Sequence, residues 1–219
     1  MGMDDPDIEN LGSMASGTLD PAFRLMLKTR SLFRHKEPAA IQEADLIASA
    51  FFEAGDEVPM RPGALESVMQ RVNEAKPLPS GIGLPDYLDT APYELRYLVA
   101  RALEHEKWQP RGQGKRVLPL RAPDSRIAEN GGGMVLFESD AGARVQRHKH
   151  LGEEYVLVLK GTIADEDGVS RPVGSLNRYE PGSVHAPRVG PHSDCAALVI
   201  LTGGFEYFSS DDDGDRISA

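Results

Sequence analysis

The sequence predicts an α+β chain, with a helical N-terminal part followed by an all-β sandwich or barrel. Three observations carry this. Up to about residue 105, apolar residues recur at three- and four-residue spacing. Beyond Trp108 the apolar runs become short, β-branched and separated by turn residues. Between helical segments stands KPLPSGIGLP, too dense in proline and glycine for a helix, which reads as a linker.

The elements follow in order. DPAFRLMLKTRSLF is a helix with Asp20 and Pro21 at its start and Phe23, Met26 and Leu27 at helical spacing. EPAAIQEADLIASAFFEAG puts Ile41, Ala44, Ile47, Ala48 and Phe51 on one face and stops at Gly55. RPGALESVMQRVNEA carries Leu65, Val68, Met69 and Val72, and APYELRYLVARALEHE opens with Pro92 in its first turn. Strands are expected in RVLPL, GMVLFES, ARVQRHKH, EYVLVLKGTI, GSLNRYEPGS and CAALVILTG, with Asp167-Gly168 centring a hairpin turn. The layout is a helical domain over 1–78, a linker and helix over 79–104, and a β domain over 105–219. Its acidic tail, SSDDDGDRISA, is expected to be disordered.

Composition sets the function classes. With 219 residues, 40% hydrophobic and 26% charged, the chain has enough apolar content for one or two globular domains. No apolar run is long enough to cross a membrane, and the first residues have neither the basic region nor the apolar stretch of a secretory signal. The single cysteine, Cys195, excludes an intrachain disulfide. These features place the protein in the cytoplasm. A net charge of −10 argues against direct nucleic-acid binding and suits a partner with a basic face.

The chemistry concentrates in HKHLGEEYVLVLKG, residues 148–161. Residues two apart on a strand point the same way, so His148 and His150 present two imidazoles to one face. Glu154 follows a turn containing Gly152 and opens the next strand, where its carboxylate can return toward them. His185, just after Pro181-Gly182, offers a fourth ligand. Imidazoles and a carboxylate suit Zn2+ above all, with Fe2+, Mn2+ or Ni2+ as alternatives. Cys195 and Trp108 read as packed core residues, His35, His105 and His192 as solvated, and the glycine run 131–133 as a turn.

The spacing resembles the first cupin motif: Gly142, five residues, His148-x-His150, three residues, Glu154, six residues, Gly161. The second motif is looser. Gly174, Pro181-Gly182 and His185 are present, but Glu180 stands at the usual proline and Val189 at the usual asparagine. The resemblance implies an all-β cupin (double-stranded β-helix, jelly-roll) domain with His148, His150, Glu154 and His185 as ligands to one divalent metal ion. HKHLGEEYVLVLKGTIADEDG and PGSVHAPR further resemble the cupin-like domain of the ChrR family of anti-sigma factors, and MASGTLDPAFRLML resembles the start of that family's anti-sigma domain. The resemblance implies a cytoplasmic transcription regulator. Its helical domain would bind an extracytoplasmic-function (ECF-type) sigma factor, and its cupin would sense oxidative stress. The faces Phe23/Met26/Leu27 and Ile41/Ile47/Phe51 carry more large apolar residues than so small a helical unit can bury by itself, a surplus that suits burial against a partner's helices. The family's zinc-binding His-x-x-x-Cys-x-x-Cys is replaced here, with Arg30, Arg34 and Glu37 at its ligand positions. Residues before about 80 are therefore expected to fold without metal. The same ligand set also occurs in cupin dioxygenases, so a mononuclear-metal enzyme acting on a small molecule is the alternative. The helices would then serve self-association as a homodimer.

Overall fold

The computed structural model describes residues 19–33, 61–73 and 77–208. The expected helix over 37–55, His35, Arg34, Glu37 and the acidic tail lie outside the described residues. The described residues form three α-helices: α1 (Pro21–Phe33), α2 (Ala64–Asn73) and α3 (Tyr93–His105). No helix among the described residues is long and apolar enough to cross a membrane.

The described part of the β region contains twelve strands. A six-stranded antiparallel sheet has the order β1 (Gln109–Pro110), β2 (Lys115–Leu120), β3 (Gly133–Ser139), β11 (Cys195–Leu201), β5 (Glu154–Lys160), β8 (Leu176–Tyr179). Two three-stranded sheets complete the sandwich. One orders β10 (Arg188–Val189), β6 (Thr162–Ala164) and β7 (Ser170–Pro172); the other orders β12 (Phe205–Tyr207), β4 (His148–His150) and β9 (Val184–His185). The hairpin expected at Asp167-Gly168 joins β6 to β7, closed by the Gly168 amide donating to the Asp165 carbonyl at 3.0 Å.

Strand alternation explains the layers. On the large sheet, Leu118, Leu136, Leu157, Leu198 and Ile200 point to one side and share a core with Ala22, Met26 and Leu27 of α1 and Leu95 and Val99 of α3. Val156, Ala197 and Val199 point to the other side, into the barrel, with Val135, Phe137 and Leu201 packed against them. A sheet covered on both faces needs apolar residues at successive positions. That is why EYVLVL and CAALVI are buried throughout.

The packing of α1 corrects one expectation. Its apolar face reads in the sequence as surplus surface for a partner, yet Met26 is 1% and Leu27 5% exposed. Phe23 meets the Tyr155 ring edge-on at 4.7 Å. Asp20 caps the helix through the Ala22 amide at 2.8 Å and also accepts from Ser125 Oγ and the Arg126 amide. Arg30, which stands where the zinc motif has its histidine, is buried and donates to the Gly174 carbonyl at 3.4 Å. On the described helices the most open large apolar side chains are Leu65 and Met69 of α2, 57% and 50% exposed, ahead of Leu32 of α1 and Tyr93 of α3 at 45% each.

Candidate metal centre

β4 carries His148 and His150 on one face, and β9 pairs with it so that His185 stands directly opposite His148. The chain then turns at Gly152. A Cβ there would lie 2.5 Å from the Gly203 amide nitrogen, so only glycine lets the two backbones approach this closely. The turn delivers Glu154 to the start of β5, facing back into the barrel. The four predicted residues are thus brought together, and all four are buried.

The distances define one focus. His185 Nε2 lies 3.0 Å from His148 Nε2 and 3.1 Å from His150 Nε2. Glu154 Oε2 lies 3.3 Å from His150 Nε2 and 3.5 Å from His185 Nε2. Ligands bound at about 2.1 Å stand roughly 3.4 Å apart in a tetrahedron and roughly 3.0 Å apart in adjacent octahedral positions. The cluster has that spacing.

The outward ring nitrogens settle the tautomers. His148 Nδ1 donates to the Gln146 carbonyl at 2.8 Å, and His185 Nδ1 to Asp165 Oδ1 at 3.0 Å. Ser183 Oγ spends its proton on the Glu180 carbonyl, so at 3.0 Å it accepts from His150 Nδ1. With each Nδ1 a donor, three Nε2 lone pairs converge with a carboxylate and no donor between them. Such a group is costly to bury unless a cation or proton sits at its centre. The residues therefore fit a divalent metal ion.

Electrostatics show the same pull on a cation, proton or metal ion, at the centre. Burial pushes the His148 imidazole below its usual pKa. Burial acts the same way on His185, but Asp165 and Glu154 outweigh it and raise that pKa to about 9. Burial also opposes ionisation of Glu154, yet the facing His150 and His185 hold its carboxyl below the usual range. Aromatic rings wall the cluster: Phe205 lies edge-on to His148 at 4.6 Å, and Tyr179 stands 4.2 Å from His185.

Sequence reasoning passed over Asp165. It accepts from His185 Nδ1, from the Tyr179 hydroxyl at 2.7 Å, and pairs with Arg171 at 3.5 Å. The only available signal was its place beside Glu166 in the DEDG turn. Asp165→Asn is expected to weaken metal binding roughly 10- to 100-fold, because a partner that orients a ligand and raises its basicity is lost. Competition against a chromophoric chelator reads this, and an unchanged affinity would remove Asp165 from the centre. Cys195, by contrast, packs with Val158, Ile163 and Val189, and burial pushes its thiol up to about 12. It is a core residue. Trp108 packs against the main core, with the Arg116 guanidinium over its ring at 4.4 Å.

A β-sandwich barrel with three histidines and a glutamate at its centre is a cupin-like arrangement. Residues 98–204 match the family model of the ChrR cupin-like domain, so this part of the chain is a ChrR-type cupin domain. The crystal structure of Rhodobacter sphaeroides SigE in complex with the anti-sigma ChrR contains a chain 26% identical to this one, with a TM-score of 0.66. That match covers 91% of this chain and 97% of the other. An RmlC-like cupin protein from Ralstonia eutropha is 20% identical with a TM-score of 0.42, covering 48% of this chain and 68% of that one. The polyketide cyclase RemF from Streptomyces resistomycificus is 20% identical with a TM-score of 0.38, covering 48% and 82%. No curated protein matches the sequence.

Proposed function

We propose that this chain is a metal-binding regulator of the ChrR kind. Its cupin holds one Zn2+ on His148, His150, Glu154 and His185, its N-terminal helices bind an ECF-type sigma factor, and the cupin adjusts that grip as a stress sensor in the cytoplasm. The observation that carries this is the extent of the likeness. The SigE–ChrR match covers 91% of this chain, well beyond the cupin domain at 98–204. α1 and α3 cover the large sheet, but α2 presents exposed apolar side chains and so implies a second task. Leu65 and Met69, four apart on α2 and exposed, offer an apolar stripe for a partner helix. Without the zinc-binding cysteines, that interaction rests on apolar packing. The bound ion would supply the switch, a change in its coordination altering how cupin and helices fit together.

The test is co-expression with each ECF-type sigma factor of the same genome, followed by size-exclusion chromatography. One of them is expected to co-elute at equal stoichiometry. Co-elution of none would refute the regulator reading.

A second reading is favoured by one observation. A cavity of about 580 Å³ opens onto His148, Glu154 and His185. A metal-dependent enzyme of the dioxygenase type would place a small substrate there. Oxygen uptake with a small-molecule panel, together with no sigma partner, would decide for it.

A further inference from the structure

The cavity beside the metal cluster is built asymmetrically. Its volume, about 580 Å³, falls within the range of small-molecule sites, roughly 300–1,000 Å³. Val117, Val135, Phe137, Val156 and Val199 of the large sheet form one wall, and Phe205 of β12 helps form the other. A polyhydroxylated ligand would leave its hydroxyls unpaired against these surfaces. The body of a fitting ligand is therefore apolar.

Arg111 and Lys115, flanking the β1–β2 turn, also line this cavity. Arg111 donates to the Pro110 carbonyl at 3.3 Å and to Gln109 Oε1 at 2.9 Å. Lys115 Nζ donates to the carbonyls of Gln113 and Arg144 at 3.2 and 2.9 Å. Neither meets a carboxylate among the described residues. Three other arginines of the barrel are paired: Arg116 with Glu138, Arg171 with Asp167, Arg178 with Glu153. In a chain of net charge −10, two uncompensated cations at the edge of an apolar cavity define an anion position.

We infer that the barrel cavity binds a medium-chain aliphatic carboxylate, its head at Arg111 and Lys115 and its chain along Val117, Val135, Val156 and Val199. As the signal read by a regulator, this ligand rests on the function proposed above. As a binding site it stands apart from it.

Calorimetric titration of the full chain with decanoate, decanol and decylamine tests this. Decanoate is expected to bind saturably at one per chain, at least tenfold more tightly than the alcohol or the amine. Arg111→Gln combined with Lys115→Gln, two changes at the barrel edge that disturb no ion pair, is expected to bring decanoate down to the affinity of decanol and leave decanol unchanged. Absence of saturable decanoate binding, equal binding of all three probes, or an unaffected double variant would each overturn the proposal. Metal content and sigma co-elution are read on the same samples. Decanoate binding without either would uphold the cavity site and refute only the regulator.

Discussion

Replacing His148 and His150 together with alanine is expected to take bound metal from close to one ion per chain to near zero. The two imidazoles supply half of the converging donors, and they come from one strand face, so no neighbouring side chain can take their place. Glu154 and His185 alone would hold an ion as weakly as many surface pairs do. A bound metal stabilises the folded state by mass action, about 2.7 kcal/mol at a hundredfold excess over Kd. For a chain of this size that is roughly 5–10 °C in Tm. A chelator should therefore lower the Tm of the unmodified protein by that amount and leave the double variant where it is. This second comparison matters because both histidines are buried, and removing them also leaves voids. Damage to packing lowers the starting Tm, but only loss of the metal site removes the response to chelator. A double variant that keeps its metal would place the ion elsewhere in the chain.

The convergence of His148, His150 and Glu154 was legible in the sequence because it depends on local rules, whereas His185 joins them from a separate strand. A two-residue period puts His148 and His150 on one face, and a glycine turn brings Glu154 back to them. What orients those ligands was not legible. Ser183 and Asp165 reach His150 and His185 only through tertiary structure, and the Gln146 carbonyl, though two residues from His148, is main chain and leaves no mark in the sequence. Strand β12 escaped for a related reason. Phe205–Tyr207 is three residues long, too short to show a period, yet it sets Phe205 against His148. ARVQRHKH narrows to His148–His150, because its first part makes only an isolated bridge from Arg144 to Arg188. EYVLVLKGTI breaks into two strands at Gly161, whose φ of +71° and closeness to the Asp194 carbonyl suit glycine alone. For the helices, periodicity tells which face is apolar but not what covers it. That is how the Phe23/Met26/Leu27 face came to read as free surface.

Met26→Ala is expected to destabilise the whole chain by about 2–5 kcal/mol, the range for emptying a fully buried position of this size. Met26 is 1% exposed and belongs to the same core as Leu157, Leu198 and Ile200 of the large sheet. α1 packs on β5, β11 and α3, so a cavity at Met26 is felt by the sheet whose other face lines the metal barrel. Unfolding should remain a single transition at a lower denaturant midpoint, with the metal released in that same transition. Leu65→Ala and Met69→Ala on α2 give the contrast. Both residues are at least half exposed, and each change should stay within about 0.5 kcal/mol. The two helices then separate stability from partner binding. Leu65→Asp with Met69→Asp should leave the unfolding midpoint and metal content unchanged while abolishing co-elution with the sigma factor that the unmodified chain retains. A Met26→Ala cost below about 1 kcal/mol would contradict the packing of α1 on the sheet. Undiminished co-elution of the α2 double variant would show that the partner grips another surface.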